Sequence, residues 1–139
     1  MRKVGLDIGL KRIGVALSDP LFISAQPLIT IIRSNFKDEV KAIKEIIKDY
    51  DVEEVIAGVP YSLNGTLGPQ GKLTLEYVVK LRNKLKIPVI EWDERFTTSL
   101  AEKPLSLAKL NRDERKKVID KVAAAIILQS YLESLREKG

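Results

Sequence analysis

The chain contains 139 residues, 45% of them hydrophobic and 31% charged, and its 24 Lys and Arg against 19 Asp and Glu give a net charge of +5. This length predicts one small domain, residues 1–139, whose core needs no disulfide or structural metal. The sequence has neither His nor Cys, which excludes a Ser-His-Asp triad, a thiol nucleophile and the usual zinc ligand sets, and leaves carboxylates, amines, hydroxyls or an oxygen-bound cation for any catalysis.

The first thirty residues predict β-strands. Apolar residues alternate with small or polar residues from 4 to 8, and a second apolar run at 13–17 follows at hairpin distance. After Pro20, the β-branched residues of 28–32 predict a third strand. We expect the three strands to pair as an antiparallel meander.

A helix with one apolar face is predicted next. Ser34 or Asn35 can cap it, and its apolar residues recur at steps of three and four. These residues are Phe36, Val40, Ile43, Ile47 and Tyr50. Residues 52–59 then predict a buried strand that Pro60 closes, and the glycines and proline of 61–71 predict a loop.

The second half of the chain predicts further helices around one strand. The apolar face of the next helix comprises Leu73, Tyr77, Leu81 and Leu85. Residues 88–92 predict a strand, and residues 97–103 predict the beginning of a helix that Pro104 ends. The last helix is predicted from about residue 112 to 137, and we expect its apolar centre, 118–132, to pack deeply against the sheet.

This order of elements predicts an α/β fold in a single domain. Three antiparallel strands lead into alternating helices and strands, and such crossovers give a mixed sheet with helices on both faces.

Charge and hydropathy indicate the surroundings of the protein. The N-terminal residues lack the apolar stretch of a signal peptide, and no later run approaches about 18 apolar residues. We therefore expect a soluble, cytoplasmic protein without a membrane contact. The net positive charge permits a nucleic-acid partner without requiring one.

Asp7 and Glu94 each break a local rule. Asp7 interrupts a predicted strand, where Asp is disfavoured because its short side chain competes for backbone hydrogen bonds. Glu94 directly follows a predicted strand, and the carboxyl ends of strands border the ligand crevice of open α/β sheets. The alternatives are an edge Asp bonded to a turn, and a solvated charged turn with an internal ion pair among Asp93, Glu94 and Arg95.

Asp120 is a polar position on a helix face that Ala124, Ile127 and Tyr131 continue. A buried carboxylate is costly unless it is paired or bound to a cation. The alternative is an ion pair with a Lys or Arg of another element.

Acidic residues of this kind can hold a divalent metal. Carboxylates brought together repel each other unless a cation compensates, and Mg²⁺ or Mn²⁺ prefers such hard oxygen ligands. Two such ions can activate a water and stabilise the leaving oxygen of a phosphodiester without His or Cys. The basic residues beside these acids that we expect to bind nucleic acid are Lys11, Arg12 and Arg95.

Four blocks of sequence, in order, carry a resemblance to a known family. They are Gly5-Leu6-Asp7-Ile8-Gly9 with residues 11–16, Gly58-Val59-Pro60 with Gly65 and Gly71, Asp93-Glu94-Arg95 with Thr97-Thr98, and Asp120 with Ala123-Ala124 and residues 127–132. On these residues the chain resembles, over almost its full length, the YqgF family, also called RuvX, of the RNase H-like superfamily.

The resemblance implies an RNase H-like fold, a mixed five-stranded sheet flanked by helices. It also implies a nuclease dependent on Mg²⁺ or Mn²⁺, with Asp7, Glu94 and Asp120 as catalytic residues and metal ligands. The first expected activity is hydrolysis at the 5′ end of precursor 16S ribosomal RNA, a step of ribosome biogenesis. The second is Holliday junction resolution, by similarity to the resolvase RuvC.

The sequence leaves oligomeric state and other function classes open. A junction resolvase needs two symmetric sites and hence a homodimer, whereas an RNA-processing enzyme can be a monomer. Asp7-x-Gly9 before a hairpin also begins actin-like ATPases and sugar kinases, but those enzymes close two domains over a nucleotide. A further alternative is a noncatalytic ribosome or nucleic-acid-binding factor in which the three acids only stabilise the fold.

Overall fold

A five-stranded mixed sheet forms the centre of the fold. The computed structural model describes residues 1–95 and 111–138. The strands are β1 (Arg2–Ile8), β2 (Arg12–Ser18), β3 (Ala25–Ile32), β4 (Val52–Val59) and β5 (Val89–Asp93). The helices are α1 (Phe36–Asp49), α2 (Pro69–Lys84) and α3 (Arg112–Lys138). The sheet order is β3-β2-β1-β4-β5, in which β2 is antiparallel to β1 and β3, whereas β4 is parallel to β1 and β5.

Alternation along the strands separates two cores. Because successive side chains of a strand point to opposite faces, Leu6 and Ile8 of β1 pack in the core under α1 and α2, whereas Gly5 and Asp7 face α3. The smaller core between the sheet and α3 contains Ala16, Ile56, Ala124, Ala125, Ile127, Leu128, Tyr131 and Leu132. The prediction of a mixed sheet with helices on both faces is therefore confirmed.

Glycines bring α3 close to the sheet. A Cβ atom on Gly5 would lie 2.7 Å from the Cβ atom of Leu128 and 2.8 Å from the carbonyl oxygen of Ala124. A Cβ atom on Gly14, which pairs with Asp7 across β1 and β2, would overlap the carbonyl oxygen of Asp120. The backbone of α3 thus rests on the sheet at these positions, which fixes the depth of Asp120 relative to Asp7.

The structure corrects the predicted beginning of α2 and one residue of its apolar face. The helix begins at Pro69 rather than after Gly71, because proline is well suited to the first turn of a helix. Tyr77, Leu81 and Leu85 of the predicted face are buried, but Leu73 is 50% exposed. The residues that α2 buries are Gly71, Thr74, Tyr77, Val78 and Leu81. Small and polar residues occupy the buried positions of the first turns, so apolar residues alone did not indicate the face there.

Other predicted boundaries differ less. Strand β3 begins at Ala25, three residues before the predicted position, and Asn35 is the residue that caps α1, since its side chain accepts a hydrogen bond from the backbone N–H of Asp38. The helix predicted at 97–103 lies outside the described residues. Within residues 1–95 and 111–138, no helix has the length and apolar content that a membrane crossing requires.

The close packing of α3 predicts the effect of a single methyl group. We expect Gly14→Ala to lower the free energy of unfolding by at least about 2 kcal/mol, because the added Cβ atom forces α3 away from the sheet. Urea denaturation measures the change. The control is Gly68→Ala, whose Cβ atom meets nothing within 4 Å and which should change stability by less than about 1 kcal/mol. Equal stability of the two variants would contradict the packing described here.

Candidate active site

A cleft of about 520 Å³ lies where β1 and β5 end. Its lining includes Asp7, Lys11, Arg12, Gln70, Glu94 and Lys116. Two of the three acids singled out by sequence thus line one cleft, together with two of the three predicted nucleic-acid-binding residues.

Strand parity explains why Asp7 and Glu94 meet on the α3 face. Trp92 of β5 pairs with Gly58 of β4 and packs against the α3 core, and Glu94 follows two residues later on the same side. Gly58 leaves the space that Glu94 needs, because a Cβ atom there would lie 2.7 Å from Oε1 of Glu94. Asp7 reaches the same face from β1 by the alternation described above.

Burial and neighbouring charge make both carboxyl groups hard to ionise. Burial raises the pKa of Asp7 to about 6, and the negative charge of Asp120 adds to this effect. Burial also raises the pKa of Glu94 to about 7, with further contributions from the charges of Asp7 and Asp93. The cleft is therefore a place where a positive charge would be favourable.

Asp120 is largely buried and is paired with Arg12. The Nε–H group of Arg12 donates to Oδ2 of Asp120 at 2.5 Å, and the two side chains are only 24% and 23% exposed, Arg12 first. The alternative considered for Asp120, an ion pair with a cation of another element, is therefore present in the structure. Among the described residues, no three His, Cys, Asp or Glu lie close enough to hold one metal ion together. Asp7 thus interacts electrostatically with both other acids. The charge of Asp120 raises the pKa of Asp7, and the charge of Asp7 raises the pKa of Glu94.

Lys11 and Arg95, two of the predicted nucleic-acid-binding residues, differ in their surroundings. Lys11 is exposed at the cleft, and no ion pair joins it to an acid in the described part of the chain. Arg95 donates to both carboxylate oxygens of Asp93, and its guanidinium lies 5.6 Å from the ring centroid of Tyr61. The internal ion pair considered for this turn therefore exists between Asp93 and Arg95. The contact between Arg95 and Tyr61 joins the end of β5 to the loop after β4.

A buried network that the sequence analysis did not identify supports the turn between β1 and β2. Glu39, 3% exposed, accepts hydrogen bonds from the hydroxyl of Tyr77 at 2.8 Å and the backbone N–H of Ser34 at 3.1 Å, and pairs with Arg33. Arg33 in turn donates to the carbonyl oxygen of Gly9 at 2.8 Å, and its backbone N–H donates to that of Lys11. The available signal was an acid beside the apolar residues of α1, the same kind of anomaly that drew attention to Asp120.

Comparison with known proteins gives consistent results. The model of the RuvX family, described as Holliday junction resolvase, matches residues 1–134. A protein of Caldanaerobacter subterraneus subsp. tengcongensis is 53% identical over 135 residues, which are 96% of this chain and 97% of that protein. A protein of Desulforudis audaxviator is 50% identical over 139 residues, 100% of this chain and 98% of that protein. Both carry the name "Putative pre-16S rRNA nuclease".

Solved structures share the fold. RuvC of T. thermophilus in complex with a Holliday junction substrate aligns over 96% of each chain with a TM-score of 0.57 and 17% identity. The fowlpox virus Holliday junction resolvase aligns over 96% of this chain and 99% of its own with a TM-score of 0.52 and 17% identity. The fold is thus the RNase H-like fold of these resolvases, as the resemblance implied. The extent of the family match and the identity to its curated relatives show that the chain belongs to the RuvX family.

Proposed function

We propose that this protein is a nuclease that hydrolyses phosphodiester bonds in RNA with the help of a divalent cation. The observation that carries the proposal is the meeting of Asp7 and Glu94 in one cleft, with Asp120 beside Asp7. Burial and neighbouring negative charges disfavour the ionised forms of Asp7 and Glu94, and a bound cation would favour them. A nuclease without His or Cys needs such a set of oxygen ligands.

The acidic residues fit Mg²⁺ or Mn²⁺. Asp7 and Glu94 would hold the ion. Asp120 would join them if its carboxylate were released from the ion pair with Arg12. Their carboxylate oxygens are the ligands that these hard cations prefer. Burial, and after it the neighbouring negative charges, raises the pKa values of Asp7 and Glu94, and a bound cation would favour their ionised forms. When bound, such an ion supplies an activated water and positive charge at the leaving oxygen.

The remaining residues of the cleft position the substrate. Lys11, which pairs with no acid in the described part of the chain, offers its ammonium to a phosphate, and Lys116 lines the same cleft. Arg12 can exchange the carboxylate of Asp120 for a phosphate, because both are anions that a guanidinium binds. Arg95 can contact the substrate beside Tyr61 while Asp93 holds it in place.

The names of the relatives favour precursor 16S rRNA as the substrate. Cleavage at its 5′ end is what the resemblance to the family implies. This role in ribosome biogenesis would place the activity in the cytoplasm. A second candidate is resolution of Holliday junctions, favoured by the fold shared with T. thermophilus RuvC and by the description of the family.

Asp7→Asn tests the role of the acids. We expect cleavage of a precursor 16S rRNA fragment in Mn²⁺ to fall at least about a hundredfold, while the metal-free variant is as stable as the wild type or more stable, because repulsion is removed. Thermal melting should also show that Mn²⁺ stabilises the wild type but not the variant. Asp49→Asn, an exposed substitution at the end of α1, is the matched control. Normal cleavage by Asp7→Asn, or its unfolding, would exclude the catalytic assignment.

The raised pKa values predict how the stability of the metal-free protein depends on pH. Above about pH 4, the folded state keeps protons on Asp7 and Glu94 that the unfolded state has released. The contribution of these protons to the free energy of unfolding is therefore full below about pH 4. It is lost as pH rises through the folded-state pKa of about 6 for Asp7 and about 7 for Glu94. We expect the free energy of unfolding in EDTA to fall by about 4 kcal/mol between about pH 5 and about pH 8, with the larger share from Glu94. The double variant Asp7→Asn/Glu94→Gln should lose this dependence. A wild-type stability that stays level or rises over this interval would argue against the electrostatics of the cleft.

The two candidate substrates can be separated with the same preparation. We expect the purified protein to sediment as a monomer and, in Mn²⁺, to cleave the 5′ region of precursor 16S rRNA but not a synthetic four-way junction. A stable dimer that cleaves the junction symmetrically and leaves the RNA intact would favour the second candidate instead.

A further inference from the structure

A groove of about 1020 Å³ lies beside α1 on the face of the sheet opposite α3. Five lysines line it, namely Lys37, Lys41, Lys44 and Lys48 of α1 and Lys84 of α2. We call it the lysine groove. Only two acidic residues, Asp38 and Glu45, share its lining, and the carboxylate of Asp38 already accepts a hydrogen bond from Asn35.

The lysines of α1 form a straight row. Their spacing of four, three and four residues keeps them within a sector of about 60° around the helix. At a rise of 1.5 Å per residue, the row from Lys37 to Lys48 is about 16 Å long. Measured along the axis of a nucleic-acid duplex, about five successive phosphates of one strand span the same length.

The lysine groove carries an excess of positive charge, since five lysines share its lining with two acids. All five are exposed, and within the described residues none of them forms an ion pair, whereas Arg12, Arg33, Arg82, Arg95 and Arg136 each pair with a carboxylate. A row of unpaired cations in a groove attracts a polyanion and releases its counterions on binding.

The lysine groove begins beside the active-site cleft. Strand β3 ends at Ile32, which pairs with Arg12 at the cleft, so α1 starts at that end of the sheet and runs away from it. A smaller cavity lined by Arg33 and Lys80 shares Leu10 and Gln70 with the cleft. The ammonium of Lys80 lies 5.9 Å from the ring of Phe36, which lines the lysine groove. Basic residues therefore follow one another from the cleft into the groove.

We propose that the lysine groove binds the phosphate backbone of the RNA substrate several nucleotides from the bond that is cleaved. This proposal rests on the proposed function for the identity of the polyanion. The groove contributes affinity and the cleft contributes the chemistry, so the enzyme acts best on RNA long enough to reach both.

The variant Lys41→Gln/Lys44→Gln tests the proposal. We expect its affinity for a precursor 16S rRNA fragment, measured without divalent metal, to fall about tenfold, and the slope of log K against log salt to decrease in magnitude by about 1.5. At saturating RNA with Mn²⁺, its single-turnover cleavage rate should equal that of the wild type. Lys41→Arg/Lys44→Arg should restore affinity because it keeps both charges.

Two comparisons guard against a general charge effect. Arg82→Gln/Arg136→Gln removes the same net charge away from the groove and should change RNA affinity less than twofold. An RNA trimmed to the nucleotides around the cleavage site should bind the wild type and Lys41→Gln/Lys44→Gln equally. Unchanged affinity of the groove variant for long RNA, or an equal loss for trimmed RNA, would overturn the proposal. If the wild type binds RNA through the lysine groove but cleaves none, the proposed nuclease function is wrong, whereas the proposal that the groove binds RNA is supported.

Discussion

The close contact between α3 and the sheet determines the geometry of the cleft. Gly5 and Gly14 have no side chains where the helix backbone crosses them, so α3 lies nearer to β1 and β2 than ordinary side chains would permit. Gly58 of β4 likewise has no side chain where the carboxylate of Glu94 lies. These close approaches bring Asp120 and Glu94 towards Asp7, although the three acids are far apart in sequence. Gly5, Gly14 and Gly58 thus serve packing in the protein, and the positions of the acids depend on that packing.

This arrangement opposes the stability of the metal-free protein. Asp7 and Glu94 lie largely out of solvent beside other negative charges, and both effects disfavour their ionised forms. The Arg12–Asp120 ion pair reduces the repulsion between the acids, because the guanidinium compensates the charge of Asp120. A site of this kind is preorganised to bind a cation, because the fold brings the like charges together before any ligand binds.

Much of the fold followed from local pattern. Alternation in β1, the helical spacing in α1 and the long apolar stretch of α3 are properties of neighbouring residues, and the structure confirmed the elements that they predicted. The end of a strand also indicated where Glu94 would lie. The buried residues in the first turns of α2 did not follow, because Gly71 and Thr74 carry no apolar signal.

Features that depend on contacts across the chain were out of reach. The partner of Asp120 is 108 residues away in sequence, and nothing near Arg12 indicated that its guanidinium would turn to α3. The network of Glu39, Arg33 and Tyr77 joins three elements whose relative positions are set only by the completed core. The protonation of the cleft likewise depends on burial, which a sequence pattern does not measure.

The attachment of the β1–β2 turn to Arg33 affects how the protein can evolve. Arg33 holds this turn by the carbonyl oxygens of Gly9 and Lys11, and backbone groups are present whatever side chains the turn carries. Leu10 and Lys11 are therefore free to vary without loosening the loop that borders the cleft. Relatives could adapt to differently shaped nucleic acids by exchanging these two exposed side chains while the catalytic framework stays intact.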